Sequence, residues 1–378
     1  MKIGVPKEIK THEYRVGLVP DSVVKLKALG HEIIVQSSAG VGIGVSDQAY
    51  FDAGARIAAT ADEVFAEAEL LVKVKEPQAE EVKKLRTGQV VFTFLHLAAN
   101  RQLAEALLQS GVVAIAYETV TDDLGRLPLL MPMSAVAGRI AVQSGAHQLE
   151  KPQGGRGLLL GGVPGVKPGK VVIIGGGTVG VNAAHIALGI GAEVVLLDIS
   201  TDRIADLTKQ FGADLQVMQA TAQAIEDQLV DADLVIGAVL IPGAAAPKVV
   251  TKAAISKMQP GSVVVDVAID QGGCIETSRP TSFSDPTYVE SGVIHQCITN
   301  LPGAVPRTST FALNNATLAF IIELANKGYV QACLTNSNLL AGLNICRGKV
   351  THASVAKAID HSYVPALDVL KKGDGYGD

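Results

Sequence analysis

The chain has 378 residues, 48% of them hydrophobic and 18% charged, enough apolar material for two cores and the reverse of the balance that leaves a chain disordered. Lys and Arg number 32 against 37 Asp and Glu, a net charge of −5 with no basic run, which argues against a nucleic-acid-binding surface. Cys274, Cys297, Cys333 and Cys346 form no C-x-x-C pair, so neither a disulfide framework nor a zinc site is indicated; the opening MKIGVPKEIKTHEYR lacks the apolar stretch of a signal peptide, and a cytoplasmic enzyme is the expectation.

The first half alternates short β-rich runs with helical stretches. Strands are predicted at residues 2–5, 32–36, 70–74, 90–94 and 113–117, with helices at 21–29 and 61–69 among the connections. Asp21 is placed to cap the first helix, and Gly30 to stop it. Strands separated by helices of this length indicate a parallel sheet with crossovers. A helix at 134–150 follows the Pro-rich run LPLLMPMSAVAGR, and KPQGGRGLLLGGVPGVKPGK at 151–170 reads as a surface connection into a new sheet.

The second series of strands is predicted at 170–174, 193–198, 234–236, 262–267 and 292–295. Residues 311–328 read as one helix, and the remaining tail as helix and loop. The expected fold is α/β: two doubly wound, parallel-sheet, Rossmann-like domains with an interdomain cleft. Residues 1–130 plus 307–378 form a discontinuous substrate and catalytic domain, and 131–306 an NAD-binding domain. Residues 171–192 carry no Asp, Glu, Lys or Arg and are long enough to cross a bilayer, but the stretch opens VVIIGGGTVG. Three adjacent glycines break a uniform helix, so a buried strand, a turn and a short helix explain it better, and no membrane segment is expected.

The strongest motif is Gly175-Gly176-Gly177-Thr178-Val179-Gly180, a G-x-G-x-x-G. Its context makes it specific: strand KVVIIG before it, an apolar helix after it, then EVVLLD ending in Asp198, 18 residues past the last glycine. Gly175, Gly177 and Gly180 let the backbone turn and approach a pyrophosphate, whose charge meets the helix N-terminus. Asp198 is suited to accept hydrogen bonds from ribose hydroxyls and to repel a 2′-phosphate, which favours NAD over NADP. The plain alternative is a structural glycine turn with a surface Asp. Arg203 lies close enough to reach the same ribose, although alone it reads as a solvated helix residue.

Chemistry-bearing residues stand at strand exits. Arg15 follows the first strand, Lys75 ends LLVKVK, and His96 follows VVFTFL; three such residues beyond strand ends are expected to share a crevice. Two cations suit a small carboxylate substrate, and a histidine is the side chain suited to moving protons beside it. In the second half VVVDVAID places Asp270 just beyond a strand, and Asn300 follows His295-Gln296-Cys297-Ile298-Thr299. Facing domains would bring Asp270 and Asn300 to the nicotinamide. Taken singly, each has a plain reading: cations at strand ends are usually solvated, and a lone histidine is commonly structural.

The ordered stretches IGVPKEIKTHEYRVGLVP, VKVKEP, FTFLHLAA, AYETV, LPLLMPMSAVAGR, GGRGLLLGGVPGVKPGKVVIIGGGTVG, VDVAIDQGGCIETSRPT and LPGAVPRTSTFALNNATL resemble the bacterial L-alanine dehydrogenase family over nearly the whole chain. The resemblance implies NAD-linked oxidative deamination of L-alanine to pyruvate and ammonium, with the reverse amination, in a homohexamer. It implies Arg15 and Lys75 as substrate-binding residues and His96 and Asp270 as the acid/base pair. Ser134, Thr178, Val179, Asp198, Arg203, Ala220, Val239, Leu240, Val267, Ala268, Ile269, Asp270, Arg279, Ile298, Thr299, Asn300 and Leu301 fall on NAD-contacting positions. The chain departs from the family pattern at Gln296, at Ile298-Thr299 and at Ala220, which offers no hydroxyl. Some members bind a metal through an acid and a histidine on the last long helix; here Glu323 is followed by Lys327, so no metal is expected. The rival readings are the NAD-binding subunit of a proton-translocating transhydrogenase, a saccharopine-type dehydrogenase, and a non-catalytic NADH-binding protein.

Overall fold

Runs such as KIGV, EIIVQ, KVVII and EVVLLD are too short for helices and rich in β-branched residues, and nearly all of their interior positions are buried. In the computed structural model, which describes residues 1–239 and 246–371, they form two sheets. The first contains β1 (Lys2–Val5), β2 (Glu32–Gln36), β3 (Arg56–Ala58), β4 (Leu70–Val72), β5 (Val90–Thr93) and β6 (Val113–Ala116), parallel in the order β3-β2-β1-β4-β5-β6. The second contains β7 (Lys170–Ile174), β8 (Glu193–Asp198), β9 (Gln216–Gln219), β10 (Leu234–Gly237), β11 (Val263–Asp266), β12 (Thr287–Glu290) and β13 (Val293–Gln296). Its parallel order is β9-β8-β7-β10-β11-β13, with β12 antiparallel on the edge.

Each sheet reverses its winding once, between β1 and β4 and between β7 and β10. Ligands bind α/β sheets at such a switch point, beyond the carboxyl ends of the strands. The chain divides into two compact units, Met1–Met133 with Val305–Asp378, and Ser134–Ala304. Phe65, Leu71, Val91, Leu107 and Ile345 belong to a buried cluster in the first; Val172, Val195, Leu229, Val235 and Val264 belong to one in the second.

Several local expectations need correction. Asp21 does not cap its helix: Pro20–Ala28 begins with proline at its first position, and Asp21 sits in the first turn, where its charge meets the positive helix end. The tail expected to be helix and loop contains β14 (Leu343–Cys346) and β15 (Lys349–Val350), antiparallel beyond β6. The polar Asn344 obscured this strand; it is buried, and its amide donates to Thr119 Oγ1 and Gly342 O. β3, β9 and β12 were also missed, being short or half polar. The helix expected at 311–328 runs Pro306–Thr335 and is broken at Gly328, whose φ is 71°. Residues 171–192 form β7, a glycine turn and the helix Thr178–Gly189, and among the described residues no helix is long and apolar enough to cross a membrane.

Candidate active site

In the second unit, the turn after β7 carries the site. Gly175 has φ +106°, and a Cβ there would lie 2.6 Å from Ala238 O, so only glycine satisfies both limits. A Cβ on Gly180 would meet Gly175 O at 1.9 Å, which is how the helix Thr178–Gly189 seats against the turn. Gly177 caps that helix and faces open space, leaving the first-turn amides approachable by an anion.

Asp198, at the end of β8, accepts the Gly176 amide on Oδ2 at 2.6 Å and the Ser200 amide on Oδ1 at 2.8 Å. Arg203 donates through Nε to Gly176 O at 2.7 Å. It is therefore not simply a solvated helix residue: both backbone polar groups of Gly176 are held, its N–H by the acid and its C=O by the cation. A fixed carboxylate beside a glycine turn and a helix N-terminus is the arrangement a dinucleotide's ribose and pyrophosphate require.

The remaining nucleotide candidates of this unit stand around the same strand ends. Ser134 lies on the helix Met131–Gln148, four residues before Gly138, where a Cβ would fall 2.1 Å from Val179 O; the spacing puts Ser134 on the helix face turned to Thr178 and Val179. Ala220 donates its amide to Asp198 O, and Val239 follows β10 by two residues. Leu240 lies outside the described residues. Val267, Ala268, Ile269 and Asp270 occupy a 3-10 turn, and Asp270 is exposed. That turn is held by Asp266, which sequence reasoning passed over; buried at the end of β11, it accepts the amides of Ala268 and Ile275, both at 3.1 Å. Arg279 lies over the Tyr288 ring, and Ile298, Thr299, Asn300 and Leu301 follow β13. Gln296 is buried and accepts from Ser144 Oγ, so this departure from the family pattern serves packing between β13 and the helix Met131–Gln148. His295 is also structural: its ring bonds Thr277 Oγ1 and Val293 O, and burial pushes its pKa down.

In the first unit, Arg15, Lys75 and His96 follow β1, β4 and β5, which lie side by side in the sheet. Arg15 is 2% exposed, so it is no solvated strand-end cation. Glu13 takes its Nε and Nη2 bidentately, both at 2.6 Å, and Met133 Sδ lies 3.1 Å from Nη1. The loop is fixed from beneath by the long helix, where Thr310 and Asn314 accept the amides of Val16 and Val19. A cavity of about 310 Å³ opens on Arg15, Glu13, Tyr14, Glu8, Lys7 and Lys10.

Lys75 is half-buried, and its amide and that of Val74 donate to Glu8 Oε1. Glu8 Oε2 meets the wholly buried Lys73 at 2.9 Å, and Lys73 also meets Glu81 at 2.8 Å. Burial, only partly offset by Lys73, pushes the Glu8 carboxyl up. Burial works against the Lys73 charge, but the two carboxylates prevail and raise its pKa.

His96 is exposed and left-handed, with φ 50° and ψ 39°, a conformation that costs energy for a residue other than glycine. Two contacts hold it. Its ring lies parallel to that of Phe94, centroids 5.7 Å apart, and its amide donates to Glu118 Oε1 at 2.6 Å. Glu118, at the exit of β6, also accepts the Leu95 amide. Glu8, Glu13 and Glu118 were not singled out from the sequence; Glu13 is a near neighbour of Arg15, whereas the fold alone brings Glu8 to Lys75 and Glu118 to His96. Among the described residues no group of three or more His, Cys, Asp or Glu could hold a metal, and Glu323 takes Lys327 at 2.8 Å.

Two doubly wound sheets, a glycine turn closed by a strand-end acid and a row of polar strand exits define a dinucleotide-binding α/β protein of the dehydrogenase type. The model of the alanine dehydrogenase/PNT N-terminal domain matches residues 4–137 and that of the C-terminal domain residues 141–353, and the chain belongs to this family. Alanine dehydrogenase of Halomonas elongata is 55% identical over 370 residues, covering 98% of this chain and 100% of its own. A solved L-alanine dehydrogenase superposes with a TM-score of 0.93 at 49% identity, over 95% of this chain and 99% of its own. A transhydrogenase from Sinorhizobium meliloti is more distant, with a TM-score of 0.79 and 26% identity over 94% of this chain and 100% of its own.

Proposed function

We propose that the chain catalyses the reversible, NAD-dependent oxidative deamination of L-alanine to pyruvate and ammonium. The observation that carries this reading is the end-to-end identity of 55% to an alanine dehydrogenase, with both units represented. The glycine turn fits the cofactor: space at Gly177, a helix N-terminus that no cap side chain covers and the fixed Asp198 carboxylate match pyrophosphate and ribose. Bound NAD supplies the hydride acceptor.

The second unit is the NAD-binding domain, and the first, with the returning C-terminal segment, binds substrate. Arg15 and Lys75 take the substrate carboxylate and carbonyl oxygen. Glu13 fixes the plane of the Arg15 guanidinium, and Glu8 fixes the backbone from which Lys75 projects. The alanine α-carbon gives up its hydride and becomes an iminium carbon. Water adds to that carbon and ammonium leaves, with His96 and Asp270 as the acid/base groups that move the protons. Per turnover, alanine, NAD and water give pyruvate, ammonium, NADH and one proton. A homohexamer and a cytoplasmic location belong to the same reading, and light scattering at the mass of six chains checks the first.

The test is nicotinamide reduction by purified protein with L-alanine and NAD, beside NADP, glycine and L-serine. Turnover with alanine and NAD is expected. NADH binding without turnover on any amino acid would overturn the reading and leave a non-catalytic NADH-binding protein. Hydride exchange between two nicotinamides without amino acid would leave a transhydrogenase.

A further inference from the structure

We propose that Tyr288 is the positioning residue that fixes Arg279 for the anionic diphosphate of the cofactor, an inference resting on the reading of Arg279 as a nucleotide contact. Tyr288 holds this arginine at both ends. The Arg279 amide donates to Tyr288 Oη at 2.8 Å, and the guanidinium carbon lies 4.0 Å from the centre of the Tyr288 ring. The phenol in turn donates to Thr277 O at 2.8 Å, so one side chain spans the turn that carries Arg279. Burial, first of all, pushes the phenol above its ordinary range, which keeps the proton needed for that donation.

Arg279 is exposed, and among the described residues no carboxylate forms an ion pair with it. An exposed arginine normally wanders over many rotamers, and ordering it costs binding energy when an anion arrives. Laid on an aromatic face, it keeps its charge without a counter-ion and has less freedom left to lose. The platform is itself held. Tyr288 on β12 pairs in register with His295 on β13, and the two rings stack at 5.1 Å. His295 is bonded to Thr277 Oγ1 at 2.8 Å, so the stack and the turn close on each other. Thr281 ties the same segment to Cys297, one residue before the nucleotide candidates that begin at Ile298. Arg279 and that segment therefore depend on one hairpin.

The experiment is a fluorescence titration of NADH at two ionic strengths into the parent, Tyr288→Leu, Tyr288→Phe, Arg279→Gln and the Tyr288→Leu/Arg279→Gln double variant, with KM and kcat for each. Tyr288→Leu is expected to weaken NADH by about three- to tenfold, raising KM for NAD while kcat holds. Tyr288→Phe, which keeps the ring, is expected to lose about two- to threefold. The double variant should bind no more weakly than Arg279→Gln alone, because the tyrosine acts only through the arginine. The salt dependence of binding should flatten in Arg279→Gln and stay flat in the double variant. Loss of affinity in Arg279→Gln with none in Tyr288→Leu, or additive losses in the double variant, would overturn the link while leaving the nucleotide role of Arg279 standing. Unchanged affinity in Arg279→Gln would overturn that role and the proposal with it. Should Tyr288→Leu not fold, Tyr288→Phe alone and in the Arg279→Gln background carries the same comparison.

Discussion

The two sheets share one strand order and one switch point, yet their carboxyl edges are built from different materials. In the second unit the edge presents backbone: a glycine turn, the amides of a helix N-terminus and a carboxylate whose oxygens are occupied by amides. In the first it presents side chains, each supported by a carboxylate: the neighbouring Glu13 under Arg15, and from distant parts of the chain Glu8 under Lys75 and Glu118 under His96. A cofactor common to many enzymes is met by backbone that any such sheet can offer. A small substrate offers only a carboxylate and one reacting carbon, so its recognition needs charged groups held in place. On this division the two edges should respond differently to mutation.

The largest effect expected is on the side-chain edge. His96→Ala should cut turnover about a thousandfold, within the range for a lost acid/base group, and leave NADH affinity unchanged. Steady-state rates and an NADH titration on the same preparation check it. Retained turnover would remove His96 from the chemistry; lost NADH affinity would show that the edges are not independent.

The reciprocal change is Gly180→Ala. Its Cβ would collide with Gly175 O, so the helix must retreat from the turn. The expected cost is about 2 kcal/mol of stability in the second unit and about tenfold or more in NADH affinity, with no direct consequence for the first unit's edge. Because two compact units need not unfold together, denaturation should be followed with a probe in each. A variant with parental NADH affinity would show that the close approach is not what shapes the nucleotide site.

A smaller effect is expected at Glu118. Its carboxylate accepts the amides of Leu95 and His96 and holds His96 in its left-handed backbone. Glu118→Ala should lower kcat/KM about tenfold, and Glu118→Gln, which keeps an acceptor, should recover most of it. In a His96→Ala background the loss should vanish. A persistent loss there would mean that Glu118 acts on something other than His96.

The same division explains how much of the molecule was legible in its sequence. The dinucleotide turn was legible because its requirements are local: Gly175, Gly180 and Asp198 lie within 24 residues of one another and follow a fixed strand–turn–helix–strand plan. The first unit's edge was half legible. Arg15, Lys75 and His96 stood out at strand ends, but no motif marks Glu13 as the partner of Arg15, and Glu118 lies 22 residues from the histidine it supports. Tyr288 was invisible for the same reason, since only the β12–β13 hairpin brings it under Arg279. Short or polar strands such as β3, β9 and β14 were lost because tertiary pairing, not periodicity, makes them strands.

The smallest effect separates the units by pH. Burial lowers the pKa of His295 in the second unit and of His352 in the first, where the charge of Glu118 only partly opposes it. A histidine whose folded pKa is depressed is neutral in the native state while the unfolded chain still takes up a proton. Its contribution to stability is complete above the unfolded value of about 6.5 and is lost as pH falls through the folded value. Glu8, pushed upward by burial, works in the opposite sense, so the slope of stability against pH must be compared between variant and parent. His295→Gln should flatten that slope between pH 7 and 5 for a probe in the second unit only, and His352→Gln for one in the first, each by at most about 1.4 kcal/mol per pH unit. The baseline also shifts in His295→Gln, because the bonds to Thr277 and Val293 are lost, so the slope is the quantity that decides. Equal flattening by both probes in either variant would mean that the two units unfold as one, and that the independence of their edges is confined to binding and chemistry.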